Sequence, residues 1–335
     1  MVLIKPDSRL KHAGMTNNRD FRVNKIKAAV IGVGYLGEHH ARIYSSMNDV
    51  ELVGVVDTNK DRANEMGAKY STRAYYDYRE LQGDVQAVSI AVPTILHYPV
   101  ALEFIKHNID ILIEKPVTTT VDEADILIKE ARERGVLLQV GHIERFNTAY
   151  RNMQKYIGRP RFIETHRLGP YVGRGIDVDV ILDLMIHDID IILSIVRSDV
   201  VDVKAIGVPV LTNHIDIANA RLEFASGCIA NITASRVSRE RIRKIRIFQP
   251  DTYITLDYGQ QSMGIYRRII ENNTARITSE DIKLEKEEPL SAELAAFVNS
   301  VRKRSAPEVS GEDGRDALRI AIKIREDAEK RLASE

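Results

Sequence analysis

Apolar positions along this chain repeat in two different ways. Up to about residue 140, compact apolar runs at 28–31, 52–56, 85–92, 109–113 and 136–140 alternate with stretches of helical period. The runs are short, rich in Val and Ile, and apolar throughout rather than at every second position. That is the pattern of strands covered on both faces, as in a parallel sheet. The stretches between them carry helix signals. One helix is expected over 61–69, and another from His97, with Pro99 in its first turn and Asn108 as its stop. A third is bounded by a capping box of Thr120 with Glu123 and by Gly135 just past Arg134. Residues 72–81 read as a short strand or loop with a helical turn. Strands alternating with helices in this way predict a doubly wound α/β domain.

Beyond Gly141 the pattern changes. Residues 146–157 read as a helix stopped by Gly158, 160–167 as a strand, and 178–196 as a long, strongly apolar helix. From 201 to about 284 the reading is mostly strand, with Ala225-Ser226-Gly227 as a hairpin signal. Closing helices are expected at 291–302 and 316–332. The prediction is a second α/β domain, a large open and mostly antiparallel sheet backed on one face by the 178–196 helix. The expected organisation is a polar arm at 1–24, a doubly wound domain at 25–145 and the second domain at 146–335. The uncovered sheet face, with Asn231, Thr233 and Ser235 beside Ile229, suits a contact between subunits, so a homodimer or homotetramer is expected.

Composition narrows the partners more than the fold. The chain has 335 residues, 44% of them hydrophobic, enough for two cores. Its 48 Lys and Arg offset 48 Asp and Glu, so no bulk charge draws it to nucleic acid or anionic membrane, and neither partner is expected. No apolar run is long enough to span a bilayer, and no secretory leader is recognisable. The single cysteine, Cys228, excludes an internal disulfide and a multi-cysteine metal centre. With no His or Cys cluster at ligand spacing, no metal is expected. These features fit a cytoplasmic protein.

The chemistry begins at 26–57. Gly32, Gly34 and Gly37 follow the first apolar run, a helical pattern follows them, and the second run ends in Asp57. Strand, GxGxxG, helix, strand and acid in this order form the dinucleotide-binding fingerprint of a Rossmann domain. Gly32 permits the tight turn, Gly34 lets a pyrophosphate approach the backbone, and Gly37 lets the helix pack near the strand. The N–H groups around Tyr35 and Leu36 stand at a helix N-terminus and attract phosphate. Asp57 can accept hydrogen bonds from adenine-ribose hydroxyls and repel a 2′-phosphate. The residues after it are Thr58, Asn59 and Lys60, with no arginine. NAD is therefore the expected cofactor and NADP the less favoured one.

Two other places can do chemistry. Lys115 stands at the carboxyl end of a parallel strand, where ligands of such sheets bind, and Pro116 holds it extended. The alternative is an ordinary solvated loop lysine. The apolar 178–196 helix carries Asp183, His187, Asp188 and Asp190. Asp183 and His187 are four apart, and His187 and Asp190 three apart, so they are neighbours on a helix surface. Polar groups there must be paired or functional, and a structural His–Asp pair is the competing reading. With a nicotinamide cofactor the parts define a reaction: hydride leaves a carbon bearing a hydroxyl, His187 suits the base, Lys115 the stabilising positive charge, and Asp183 would orient the pair.

Gly32-x-Gly34-x-x-Gly37, Glu114-Lys115-Pro116 and Asp183-x-x-x-His187-x-x-Asp190 in this order resemble the glucose–fructose oxidoreductase / inositol dehydrogenase (Gfo/Idh/MocA) family. The resemblance implies a Rossmann domain followed by an α/β domain with an open sheet, and Lys115, Asp183 and His187 as the catalytic set. It implies that Pro93, Thr94 and His97 line the nicotinamide pocket with Glu114 and Lys115, although many members have Asn where Thr94 stands. Within the family, residues 141–147 and 182–188 look most like nucleotide-sugar dehydrogenases of the UDP-N-acetylglucosamine 3-dehydrogenase type. These oxidise the sugar 3-hydroxyl ahead of a transamination. A free polyol or hexose dehydrogenase, such as an inositol dehydrogenase, and a non-catalytic ligand-sensing regulator are the alternatives. Candidates for substrate contact are Arg145, Arg167 and Arg174 for a second pyrophosphate, otherwise surface arginines. His142 and Asn147 are candidates for sugar hydroxyls, Asn147 otherwise being a helix cap. The basic run 239–246 reads as a solvated strand face.

Overall fold

The computed structural model describes residues 24–172 and 178–333. The polar arm expected at 1–24 lies almost wholly outside the described residues. The first sheet is formed by β1 (Ile26–Ile31), β2 (Val50–Val56), β3 (Arg73–Tyr75), β4 (Ala87–Ile90), β5 (Asp110–Glu114) and β6 (Leu138–Gly141). Its order is β3-β2-β1-β4-β5-β6, with every pair parallel. The order reverses beside β1, which opens a crevice at the carboxyl ends of β1 and β4. Helices α1 (Tyr35–Ser46), α2 (Lys60–Lys69), α3 (His97–Lys106) and α4 (Val121–Arg134) connect the strands. Asn108 stops α3 at a φ of +58°, and α4 has the Thr120–Glu123 capping box and a left-handed Gly135. β4 and β5 are buried along their whole length, as their unbroken apolar runs require.

After a short helix, α5 (Thr148–Met153), comes β7 (Phe162–Leu168). The apolar stretch expected as one helix at 178–196 is a π-helical turn, Ile181–Met185, running into α6 (Ile186–Val196). Then follow β8 (Val200–Val208), β9 (Ile217–Phe224), β10 (Ile229–Ser235), β11 (Ile242–Gln249), β12 (Thr252–Asp257), β13 (Ser262–Glu271) and β14 (Thr274–Ile282). They form an eight-stranded sheet of order β14-β13-β12-β11-β7-β10-β9-β8, antiparallel except where β7 meets β10. The hairpin at Ala225-Ser226-Gly227 joins β9 to β10, with Gly227 at a φ of +79°. A second tight turn, Asn272 and Asn273, both at positive φ, joins β13 to β14.

Two helices close the chain, α7 (Pro289–Lys303) and α8 (Gly311–Leu332). Helices α5, α6 and α8 cover one face of the second sheet through Tyr150, Ile189, Ile192, Ile320 and Ile324. α7 goes the other way: Leu294, Phe297, Val298 and Val301 join the core formed by α1, β1 and β2 of the first sheet. The two sheets are thus tied by the last two helices as well as by the chain between β6 and β7. On the open face of the second sheet Asn231 and Thr233 are half-buried as expected, but Ser235 is fully buried and accepts from the Val237 N–H.

Candidate active site

The glycine turn meets each demand placed on it. Gly32 has a φ of +83°, and a Cβ there would stand 2.8 Å from the Ala91 carbonyl oxygen. A Cβ on Gly37 would lie 1.8 Å from the Gly32 oxygen, so α1 can reach β1 only as it does with glycine. A Cβ on Gly34 would meet nothing within 4 Å. Gly34 is the N-cap of α1 and faces open space, where Tyr35 and Leu36 are exposed. Asp57 is held at the end of β2 by two backbone donors, Val33 N–H at 3.1 Å and Asn59 N–H at 2.9 Å. A cavity of about 660 Å³ runs from Gly32 and Gly34 past Asp57 and Thr58 to Tyr76, Tyr78 and Arg79. A backbone cradle beside a fixed carboxylate fits a dinucleotide. Lys60, the one cation in the run that follows Asp57, lies over the Tyr76 ring at 5.2 Å. Arg79 is held by Asp77 at 3.2 Å. Tyr76, Tyr78 and Arg79 follow the carboxyl end of β3, the place where cleft residues of such sheets gather, and that topological signal alone could have found them.

A second cavity, of about 480 Å³, is lined by Pro93, Thr94, His97, Glu114, Lys115 and Asp183, with Thr118, Leu182 and Arg325. It joins the ends of β4 and β5 to the π-helical turn. His97 is buried, with Nδ1 2.9 Å from the Pro116 carbonyl and Nε2 2.9 Å from that of Val92. It ties two strand ends together, and burial pushes its pKa down against the pull of these carbonyls. Glu114 binds His40 Nε2 at 3.0 Å inside the protein. Burial raises its carboxyl pKa, but His40 and the Lys115 charge outweigh that and the net direction is down.

Lys115 Nζ donates to the Asp183 carbonyl at 2.6 Å and to its carboxylate at 3.2 Å. The lysine is thus no solvated loop residue. It crosses from the first sheet to the turn before α6, and the widened turn aims the Asp183 backbone at it. Asp183 does not pair with His187, as helix spacing had allowed. His187 has no hydrogen-bond partner among the described residues, and its Nδ1 is buried. It is not among the residues lining the 480 Å³ cavity. Its ring stands perpendicular to that of His142 at 6.4 Å. Burial, then the charges of Lys115 and Arg167, holds the His187 pKa well below the usual imidazole range. His142 is buried, neither ring nitrogen has a hydrogen-bond partner among the described residues, and burial lowers its pKa too.

The arginine expectations change most. Arg145 and Arg167 are not surface residues, and both are engaged by acids of the protein itself. Arg145 forks onto Asp190 at 2.7 and 2.8 Å and reaches Asp313 at 3.4 Å. Arg167 forks onto Asp188 at 2.9 and 3.0 Å and binds Glu144 at 2.9 Å. Charges this deep are retained only when paired, and these pairs lock α6 against β7 and the 143–146 turn. The acids of α6 therefore serve arginines far away in sequence, not His187. Asn147 is buried and caps α5, accepting from the Ala149 N–H and donating to the Tyr258 carbonyl at 3.2 Å. Arg174 lies outside the described residues. Arg325, deep in the last helix, was not anticipated, and nothing local in the sequence marks it.

A parallel sheet with a glycine cradle, a fixed acid and a lysine at the domain junction defines a nicotinamide-dependent oxidoreductase. The comparisons agree. Residues 26–142 match the oxidoreductase family with NAD-binding Rossmann fold, and residues 152–251 match the GFO/IDH/MocA C-terminal domain. The chain is 38% identical over 303 residues to a UDP-N-acetylglucosamine 3-dehydrogenase of Acidithiobacillus ferrooxidans, covering 90% of this chain and 96% of that protein. A solved structure of that enzyme superposes with a TM-score of 0.86 over 91% of this chain and 98% of its own. A myo-inositol 2-dehydrogenase of Thermotoga maritima is 26% identical over 91% of this chain and 97% of its own. The chain belongs to the GFO/IDH/MocA oxidoreductase family.

Proposed function

We propose that this protein oxidises the 3-hydroxyl of a nucleotide sugar of the UDP-N-acetylglucosamine type. The observation that carries the reading is Lys115, pinned by Asp183 across the junction of the two sheets in a cavity next to the glycine cradle. The identity to the Acidithiobacillus enzyme supports the substrate class. A bound nicotinamide supplies the hydride acceptor. Lys115 donates to the sugar hydroxyl oxygen and stabilises the charge that grows there. Asp183 keeps the ammonium in place. His187, neutral in its cationic surroundings, takes the hydroxyl proton, and the same surroundings make it release that proton afterwards. The two carboxylate contacts that fix Asp57 beside the cradle favour NAD over NADP.

The test is single-turnover NADH formation with UDP-N-acetylglucosamine, myo-inositol and glucose. The expected result is turnover with the sugar nucleotide alone. Turnover with myo-inositol instead would place the protein among the polyol dehydrogenases, and none with any sugar would favour a ligand-sensing role. Lys115→Met and His187→Asn are expected to bind NAD and melt near the parent while losing about 10²–10⁴-fold in rate. Since the His187 pKa is depressed, the base is neutral at pH 6.5, and kcat should fall only at more acid pH. An acid limb at or above pH 6.5, or a fast His187→Asn variant, removes His187 from the role.

A further inference from the structure

Four arginines, Arg167, Arg236, Arg241 and Arg243, converge on a recess of about 120 Å³ whose wall also holds Asp183. Two of them are neutralised. Arg167 has Asp188 and Glu144, and Arg236 binds Asp216 at 2.9 Å. Arg241 and Arg243 have no acid within ion-pair distance among the described residues. Arg241 immediately precedes β11 and Arg243 is its second residue, and both line the recess. Arg243 is also directly opposite Arg167 across the β7–β11 pair. Like charges facing each other across a sheet oppose folding. Arg243 is exposed, yet crowding by neighbouring protein atoms and then the Arg167 charge disfavour its cation and push its pKa below its ordinary value, against the pull of Glu144 and Asp188. A chain with zero net charge has thus concentrated uncompensated positive charge at one place. That place touches the catalytic cleft, because Asp183 lines both the recess and the cavity that holds Lys115. Tyr171, beside the arginines in the same recess, exposes its ring.

We propose that Arg241 and Arg243 form the subsite for the diphosphate of the sugar nucleotide, on the Asp183 side of the cleft. The inference rests on the nucleotide-sugar reading above and replaces Arg145 and Arg167 as the phosphate ligands. Two guanidinium forks can each give paired N–H donors to adjacent phosphoryl groups, and a dianion or trianion relieves the repulsion among the arginines. A sugar 1-phosphate offers fewer acceptors, a carboxylate fewer acceptors and less charge, and both bind more weakly.

The experiment titrates the full-length parent, Arg241→Gln, Arg243→Gln and the double variant with UDP, UMP, inorganic pyrophosphate and uridine by calorimetry. KM and kcat for UDP-N-acetylglucosamine are measured on the same proteins. A charged hydrogen bond lost from an exposed arginine at the edge of a recess costs about 10-fold in affinity. Each single variant is expected to raise the UDP Kd and the sugar-nucleotide KM by about that factor, with kcat changing far less. Uridine binding should be the same in all four proteins. No variant should melt below the parent, since each removes a repelling charge. If the parent turns over UDP-N-acetylglucosamine and the double variant keeps its Kd and KM, the subsite is refuted and the substrate reading stands. If the parent binds UDP or pyrophosphate through these arginines without turning over the sugar nucleotide, the subsite stands and the substrate reading falls. If the parent neither binds UDP nor turns over, both fall.

Discussion

Glu293 on α7 has no exposed surface, and neither carboxyl oxygen has a hydrogen-bond partner among the described residues. Its burial, with the Glu114 and Asp190 charges nearby, pushes its pKa well above the usual carboxylate range. A folded-state pKa above the unfolded one means the native protein holds this proton while the unfolded chain gives it up. Stability from this group is whole below about pH 4.3, the unfolded value, and is lost as pH rises toward the folded one. Glu293→Gln should therefore melt higher than the parent at pH 7 and no higher at pH 4. Equal melting at pH 7 would mean that the carboxyl is solvated or paired in solution. Asp57 carries the other residue-scale prediction. Asp57→Ala should weaken NAD binding by about 10-fold or more while leaving NADP binding nearly unchanged, because the carboxylate helps only the hydroxylated ribose. Titration of both cofactors checks it, and equal losses would count against the NAD assignment.

At the scale of elements, the glycine turn separates architecture from ligand. Gly37→Ala forces a Cβ to 1.8 Å from the Gly32 oxygen, so β1 and α1 must move apart. The cost should be on the order of 1–3 kcal/mol, typical of overpacking, and visible as a lower Tm. A methyl group at Gly34 meets no protein atom within 4 Å. Gly34→Ala should melt like the parent yet bind NAD at least about 10-fold more weakly, since the methyl group stands where the pyrophosphate would approach. Normal NAD affinity in Gly34→Ala would place the pyrophosphate elsewhere. The π-helical turn works at the same scale. It carries Asp183 outside the regular α-helical face, which is why Asp183 meets Lys115 rather than His187.

For the molecule as a whole, one face of the second sheet is buried under α5, α6 and α8 and the other is open. On the open face Phe162, Phe248, Tyr253 and Tyr266 form a ladder across four paired strands, with ring centroids 5.6, 4.8 and 5.2 Å apart. Val201, Ile206, Ile270 and Ile277 are exposed on its outer strands. Aromatic and aliphatic groups set out over so broad a sheet suit a partner's surface. Light scattering at micromolar concentration should give a dimer or tetramer, and Phe248→Glu with Tyr253→Glu should shift it toward monomer. A monomeric parent would refute the proposal.

Much of this was legible in sequence because it is local. The parallel strands declare themselves as short apolar runs, and the Thr120–Glu123 cap and Gly135 bound α4 within one helix. The cofactor cradle needs only the segment from Ile26 to Asp57, so the class of chemistry could be read from about thirty residues. Lys115 was recognisable as a strand-end residue before its partner was known. What tertiary structure decided is pairing. Asp190 looks like a helix neighbour of His187, yet it binds Arg145, and Asp188 beside it in the chain binds Arg167. β14 is too polar for alternation to announce, and its place comes from the turn at Asn272 and Asn273 and its pairing with β13. Arg241 and Arg243 are exposed, as a solvated strand face requires, but sequence could not show that β7 brings Arg167 opposite Arg243. Periodicity reports which face of an element is buried, because it depends on the element alone. The partner of a buried charge depends on which distant elements pack together, and one sequence does not encode that at any fixed spacing.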